Sequence, residues 1–140
     1  MIDRFTGDYH FLSNFYPSRV EYAGNTYPSA EHAYQAAKAI NTNDRAKIRK
    51  AETPKEAKRL GCKIKLRRDW ESVKLAVMKD VVLSKFIQNR DLRHKLIMTG
   101  DEELVEGNDW GDTYWGRVDN KGQNKLGTIL MQVREQLARG

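Results

Sequence analysis

The sequence predicts an α+β fold: a compact, mostly helical single domain over residues 1–140 with a small antiparallel sheet near its N-terminus. Three observations carry this. Val20 to Tyr22 has strand character and meets a tight-turn pair, Gly24-Asn25, before Tyr27. From Ser29 onward, apolar residues recur at helical spacing between recognisable caps. At 140 residues the chain is long enough to bury a self-sufficient core, and its single cysteine, Cys62, excludes an internal disulfide.

Element by element, Ile2 to Phe5 reads as a short strand ahead of the hairpin. Ser29 stands where an N-cap belongs, and the Ala-rich run behind it has high helix propensity. At about 100° per residue, Glu31, Tyr34, Gln35 and Lys38 share one stripe, with Ala30, Ala33, Ala37 and Ile40 on the apolar stripe beside it. The small stripe is expected to pack on the core and leave the polar one to line a cleft. Thr53-Pro54-Lys55-Glu56 is a capping box with proline at the first helical position, and Gly61 is expected to close that helix as its C′ residue. Asp69 then caps a long helix through about Gln88 whose buried stripe is Trp70, Val73, Val77 and Val81. A helix from Asp91 to Thr99 turns Leu92 and Leu96 inward and ends at Gly100, and Leu104-Val105-Glu106 is a further candidate strand. Gly107 to Asn124 is too glycine-rich for regular structure yet too aromatic for a disordered linker, the composition of a functional loop. Leu126, Ile129, Leu130, Val133 and Leu137 mark an amphipathic C-terminal helix in which Gly127 allows a close approach.

Composition narrows the function. The net charge is +6 with a pI near 9.5, which favours an anionic partner, either a phosphorylated small molecule or nucleic acid. The basic residues concentrate between Arg45 and Arg68, without the aromatic interleaving of a single-strand binder. His10, His32 and His94 have no ligand spacing for structural zinc; no metal or cofactor is expected, with carboxylate-bound magnesium left open. Met1-Ile2-Asp3-Arg4 lacks the apolar stretch of a signal peptide and no run approaches the roughly 20 apolar residues of a membrane span, so a cytoplasmic protein without membrane partners is the default expectation.

Three segments carry chemistry: the aromatic run Phe11-Leu12-Ser13-Asn14-Phe15-Tyr16-Pro17, the Glu31/Lys38 helix face, and Asp112-Thr113-Tyr114-Trp115-Gly116 followed by Gly122-Gln123-Asn124. Brought together, they supply aromatic walls for a planar base, amides for ribose hydroxyls, and two carboxylates with an amine. The alternatives stand beside this: Tyr114 and Trp115 as a core plug, Asp112 as a turn residue bonding its own backbone, and the basic segment as a solvated face.

In this order the segments resemble the NADAR family, joined by Pro28-Ser29-Ala30-Glu31-His32, Gln35-Ala36-Ala37-Lys38, Asp69-Trp70-Glu71-Ser72-Val73-Lys74, Gly122 to Gly127 and Leu130-Met131-Gln132-Val133-Arg134, so the resemblance runs essentially the whole chain. It implies an N-glycosidase that cleaves the bond between C1′ of a phosphorylated ribose and a base amine. Two substrate classes are implied: ribosylaminopyrimidine intermediates of riboflavin synthesis, and ADP-ribose on guanine carried by DNA or RNA. Glu31, Lys38 and Asp112 are the implied catalytic residues, with Asp109 an alternative to Asp112 because Asn108-Asp109-Trp110-Gly111 is a shifted match. Ser13, Asn14, Phe15, Tyr34, Gln35, Tyr114, Trp115, Gly116 and Asn124 are the implied substrate contacts. Two other classes of function stay open: a non-catalytic reader of ADP-ribose or a related nucleotide, and a small nucleic-acid-binding domain. The oligomeric state is open.

Overall fold

The fold is α+β and mostly helical, and a computed structural model describes residues 1–140. The chain forms two compact units, residues 14–89 and residues 1–13 with 90–140, taken here in turn.

Residues 14–89 hold the sheet and four helices. Strands β1 (Pro17–Tyr22) and β2 (Asn25–Ser29) pair antiparallel in the register Val20↔Tyr27, Glu21↔Thr26 and Tyr22↔Asn25, with an irregularity towards Pro17↔Ser29. The two turn residues are Ala23 and Gly24, both at positive φ (49° and 84°), the backbone that matches the strands' right-handed twist. The turn thus lies one residue earlier than Gly24-Asn25, and Asn25 already belongs to β2. A two-stranded sheet leaves both edges open. Helix α4 (Trp70–Gln88) answers part of one edge with side chains, Ser84 Oγ donating to Glu21 C=O at 2.6 Å and Asn89 Nδ2 to Arg19 C=O at 2.8 Å.

Helix α1 (Ala30–Ala37) follows β2 without a gap. Ser29 ends the strand in extended backbone (φ −160°) and caps the helix, its Oγ accepting from the His32 N–H at 3.1 Å. The same Oγ lies 2.6 Å from His32 Nδ1, and His32 Nε2 lies 2.9 Å from Ala51 C=O. A carbonyl only accepts, so Nε2 carries the proton and Nδ1 takes the Ser29 hydroxyl hydrogen. Burial lowers the His32 pKa, consistent with this neutral ring. Helices α2 (Thr42–Arg49), α3 (Pro54–Gly61) and α4 all pack on α1, and its residues from Ala30 to Ala36 are buried. The expectation of one buried and one open stripe therefore gives way to burial all round. Ile40, expected on the apolar stripe, is about half exposed because α1 ends at Ala37 and Ala39 instead bridges to Leu66.

Helix α3 keeps its predicted start, with Thr53 Oγ1 accepting from the Glu56 N–H at 3.1 Å and Pro54 in the first turn. Its end differs: Gly61 is the last helical residue, followed by Cys62 as C-cap. Asp69 occupies the N-cap position of α4 but makes no side-chain cap; its carboxylate is taken by the nearby Arg67 guanidinium at 2.6 and 2.9 Å. Trp70, Val77, Met78, Val81, Val82 and Phe86 are buried on α4, while Val73 is only half-buried. Lys85 is also buried, its ammonium 5.1 Å from the Phe86 ring centroid and 5.9 Å from that of Tyr16.

In the other unit, a 3-10 turn (Gly7–Leu12) buries Phe11 and Leu12. Helix α5 (Arg90–Met98) buries Leu92 and Leu96, and Gly100 at φ +62° ends the turn that follows. The strands expected at Ile2 to Phe5 and Leu104 to Glu106 reduce to one parallel bridge, Ile2↔Leu104, with bonds of 2.8 Å on either side. The ladder stops there because the Gly107 N–H turns back to Val105 C=O at 2.9 Å. Helix α6 (Lys125–Arg139) buries Leu126, Ile129, Leu130 and Val133. A Cβ on Gly127 would lie 2.1 Å from Leu104 C=O, the close backbone approach read from its sequence. No helix is long and apolar enough to cross a membrane.

Ser29→Ala removes a cap and leaves buried His32 Nδ1 without a donor, so it is expected to cost about 2 kcal/mol, read as a lower urea midpoint with unchanged slope. Burial pushes the Lys85 pKa from 10.5 down to about 7. The unfolded chain therefore binds the extra proton between those values, and this residue makes stability rise with pH across that window. The stability gap between Lys85→Met and the parent should be largest below pH 7 and close as pH approaches about 10.5.

Candidate functional site

Helix α1 carries the carboxylate and the amine. Glu31, in its first turn, is 7% exposed, and its backbone N–H donates to Asn14 C=O at 3.0 Å. Asn14 is buried too, its Nδ2 3.3 Å from Met78 Sδ, so α4 anchors the segment that anchors the start of α1. Phe15 follows it, half-buried.

One turn along, Gln35 donates through Nε2 to Glu31 Oε2 at 2.6 Å. A carboxylate receiving an amide N–H is fixed in orientation. The other end of the amide, Oε1, is buried without a hydrogen-bond partner. It presses on α3 at Gly61, where a Cβ would lie 2.0 Å from Oε1 and 3.1 Å from Gln35 Cβ. Only glycine leaves room, and its place inside α3 is explained by packing rather than by helix termination.

Lys38 is the C-cap residue of α1, where a cation meets the negative end of the helix. Its Nζ lies 5.4 Å from the Tyr34 ring centroid and 6.0 Å from that of Trp70, and these rings pack at 5.3 Å with a 60° tilt. Both rings are buried, Tyr34 at 6% exposure and Trp70 at 5%, while Lys38 is half-buried. Burial holds the Lys38 pKa below the ordinary lysine value; the charge of Glu31 acts the other way and is outweighed, and Lys58 and Lys74 add to the lowering. Below that depressed pKa the amine is an ammonium, and above it a nucleophile available at lower pH than a free lysine.

The remaining candidates belong to the other unit. Ser13 ends the 3-10 turn, its N–H bonded to His10 C=O at 2.9 Å. Asp112 Oδ1 accepts from the Tyr114 and Trp115 N–H groups at 3.0 and 2.9 Å, the turn geometry weighed from its sequence. Tyr114 and Trp115 pack edge to face at 4.9 Å. The alternative carboxylate, Asp109, is exposed and pairs through both oxygens with Arg4, at 2.9 and 3.2 Å. Gly116 lies against Glu106, whose C=O would be 2.0 Å from any Cβ there. Carbonyls of Tyr114, Trp115 and Gly116 accept from the N–H groups of Lys125, Leu126 and Asn124, so the loop itself caps the start of α6. Asn124, at φ 52°, accepts from the Glu106 N–H and donates to Leu104 C=O, both at 2.9 Å.

Two residues not among the site candidates read from the sequence organise these parts. Trp70, read there mainly as core, is core and also the second ring below Lys38. Buried Asn108 donates to Asp112 C=O at 2.9 Å and accepts from its N–H at 3.0 Å, contacts between residues that a lone asparagine in a turn-rich sequence does not signal. No three His, Cys, Asp or Glu side chains are grouped to hold a metal ion.

The chain is a mostly helical α+β domain with a buried glutamate in the first turn of one helix and an aromatic-backed lysine at its end, and comparison with known proteins gives its family. The chain belongs to the NADAR family, whose domain model matches residues 3–138. It is 42% identical over 134 residues to the N-glycosidase YbiA of Shigella flexneri, covering 94% of this chain and 83% of that protein. It is 44% identical over 135 residues to an N-glycosidase of Nostoc punctiforme, covering 92% and 86%. A riboflavin biosynthesis protein of Vibrio vulnificus is 42% identical over 130 residues, a match spanning 91% of this chain but 35% of that larger protein. The NMR structure of the E. coli protein YbiA superposes with a TM-score of 0.86 at 38% identity, covering 99% of this chain and 88% of that one.

Gly61→Ala gains about 1 kcal/mol of helix propensity but forces Gln35 off Glu31 and crowds a packed contact. The loss of a hydrogen bond to a charged group outweighs the gain, so the variant is expected to be less stable by about 1–3 kcal/mol in denaturant titration.

Proposed function

We propose that this chain is an N-glycosidase that hydrolyses the bond between C1′ of a phosphorylated ribose and an exocyclic amine of a base. The observation that carries the reading is Lys38: an amine with a depressed pKa, over two buried rings and on the same helix as a fixed glutamate. A pocket that only binds nucleotide needs neither the depressed amine nor the carboxylate. The relatives named as N-glycosidases support the bond class, and the Vibrio relative's name supports a ribosylaminopyrimidine of riboflavin synthesis as substrate. ADP-ribose on guanine presents the same kind of bond, and the net charge of +6 favours so anionic a substrate.

In the proposed mechanism the lone pair of neutral Lys38 Nζ attacks C1′. The C1′–N bond breaks with its electron pair going to the base nitrogen, which takes the proton that Nζ loses on bonding to C1′, passed across by the Glu31 carboxylate. Opening of the sugar ring, with protonation of its ring oxygen, leaves an imine between Nζ and C1′. Water adds to that carbon, the amine departs, and ribose is released with Lys38 restored. Asp112, with one oxygen held by its own turn, is the second candidate proton carrier. The rival route has a carboxylate activate water against an oxocarbenium-like C1′, with Lys38 pairing a phosphate.

The test is mass spectrometry after mixing the protein with a ribosylaminopyrimidine phosphate and, separately, with an oligonucleotide carrying ADP-ribosylated guanine. Release of base from either, lost by at least a hundredfold in Glu31→Gln, supports the glycosidase; intact substrates with retained nucleotide binding would make the chain a reader. Cyanoborohydride should trap a sugar adduct on Lys38, and Lys38→Arg, which keeps the charge but is a very poor imine former, should lose turnover. Substantial turnover in that variant sinks the imine route. Asp112→Asn in the same assay tests the second carboxylate.

A further inference from the structure

Among the arginines of this protein that join no ion pair, two share one cleft. Arg45 and Arg49, one turn apart on α2, line a cleft of about 90 Å³ with Asn25, Tyr27, Thr42 and Ala46. Neither joins any of the chain's ion pairs. Each makes one hydrogen bond, Arg45 to Ala39 C=O at 3.2 Å and Arg49 to Asn25 Oδ1 at 3.3 Å, leaving most of the five N–H donors of each guanidinium unused. The acid nearest in sequence, Asp44, is turned to the Asn41 cap, and no acid lines the cleft.

Like charges at i and i+4 on a helix repel, and here both are half-buried, where water screens them less. The phenol of Tyr27 is held high by burial, against the opposing fields of Arg45 and Arg49, so it sits within reach of both charges. The cleft is far smaller than the roughly 300–1,000 Å³ that houses a drug-sized ligand, which rules out a nucleoside and leaves room for one small polyatomic anion. Guanidinium forks match the oxygens of a phosphate group, and two of them match a dianion better than a monoanion.

We propose that the cleft between α2 and β2 is a binding site for a terminal phosphate, either inorganic phosphate or the end of a phosphomonoester. The site uses neither Glu31 nor Lys38, and it stands whether or not the glycosidase reading does. A phosphodiester in a nucleic-acid backbone offers the same oxygens but carries one charge and two bulky substituents, which the cleft does not admit.

The experiment is a titration of the full chain with inorganic phosphate at constant ionic strength, following the Arg Nε–H signals by ¹⁵N NMR. The Arg45 and Arg49 signals should move together and saturate. Arg45→Gln and Arg49→Gln should each weaken binding at least tenfold with unchanged backbone amide spectra, whereas Lys55→Gln, which removes a charge elsewhere, should leave it unaltered. Ribose 5-phosphate should bind like phosphate and a dinucleotide should not. Shifts that fail to saturate, that chloride reproduces, or that Lys55→Gln weakens equally would overturn the site; equal binding of the dinucleotide would overturn the assignment to a terminal phosphate.

Discussion

A helix buried on every side while carrying a carboxylate, an imidazole and an amide sets the terms for the rest of residues 14–89. Each of those groups loses water on folding, and an unanswered one costs on the order of 1–3 kcal/mol. The neighbouring chain supplies the answers: Ser29 and Ala51 for His32, Gln35 for Glu31, and Asn14 C=O for the first-turn N–H of Glu31. The alanines of α1 make the close packing possible, since small side chains let α2, α3 and α4 approach without crowding. One group is left over, Gln35 Oε1, and it lies on the amide that fixes the carboxylate. Strain of this kind is commonly tolerated where function demands a geometry that stability alone would not select.

In the other unit, a segment without regular structure is held by backbone bonds. Carbonyls of residues 114–116 take the place of a side-chain cap on α6, Asn108 ties both backbone groups of Asp112, and Asn124 holds two backbone groups of the 104–106 strip. The aromatic pair Tyr114 and Trp115 rides on this frame. Glycines at 107 and 116 in the loop, and Gly127 at the start of α6, are required by contact with the backbone of Asp3, Glu106 and Leu104, while Gly111 serves a positive φ of 87° in open space.

Much of this was legible in the sequence because caps and turns act locally. Ser29, Thr53-Pro54 and the hairpin turn are set by residues within four positions of one another, and each forms nearly as read. What failed depended on partners distant in sequence or on competition. Gly61 carries the letter of a helix stop but answers to Gln35 across two helices; Asp69 had a closer suitor in Arg67; α2, with Ile48 its one buried residue, offers no apolar stripe to detect. Lys85 was invisible because a lysine in a helix reads as solvent-facing, and nothing local reveals that Tyr16 lies above it. For the candidate site, the helix bearing Glu31 and Lys38 was readable, but not the burial of its polar face, nor the second ring that Trp70 contributes.

The end of α1 is tied down more firmly than a helix end usually is. The carbonyl of Lys38 accepts the Arg67 N–H at 2.9 Å and Ala39 bridges to Leu66, so the main chain on either side of the lysine is held by a segment that is not part of the helix. Fraying, the common fate of a last turn, is thereby suppressed. What freedom Lys38 retains lies in the torsions of its four-carbon stem. An amine tethered in this way explores a small volume around a fixed root, so under the proposed mechanism the entropy of ordering the nucleophile is spent when the protein folds, and each turnover has only the substrate left to order.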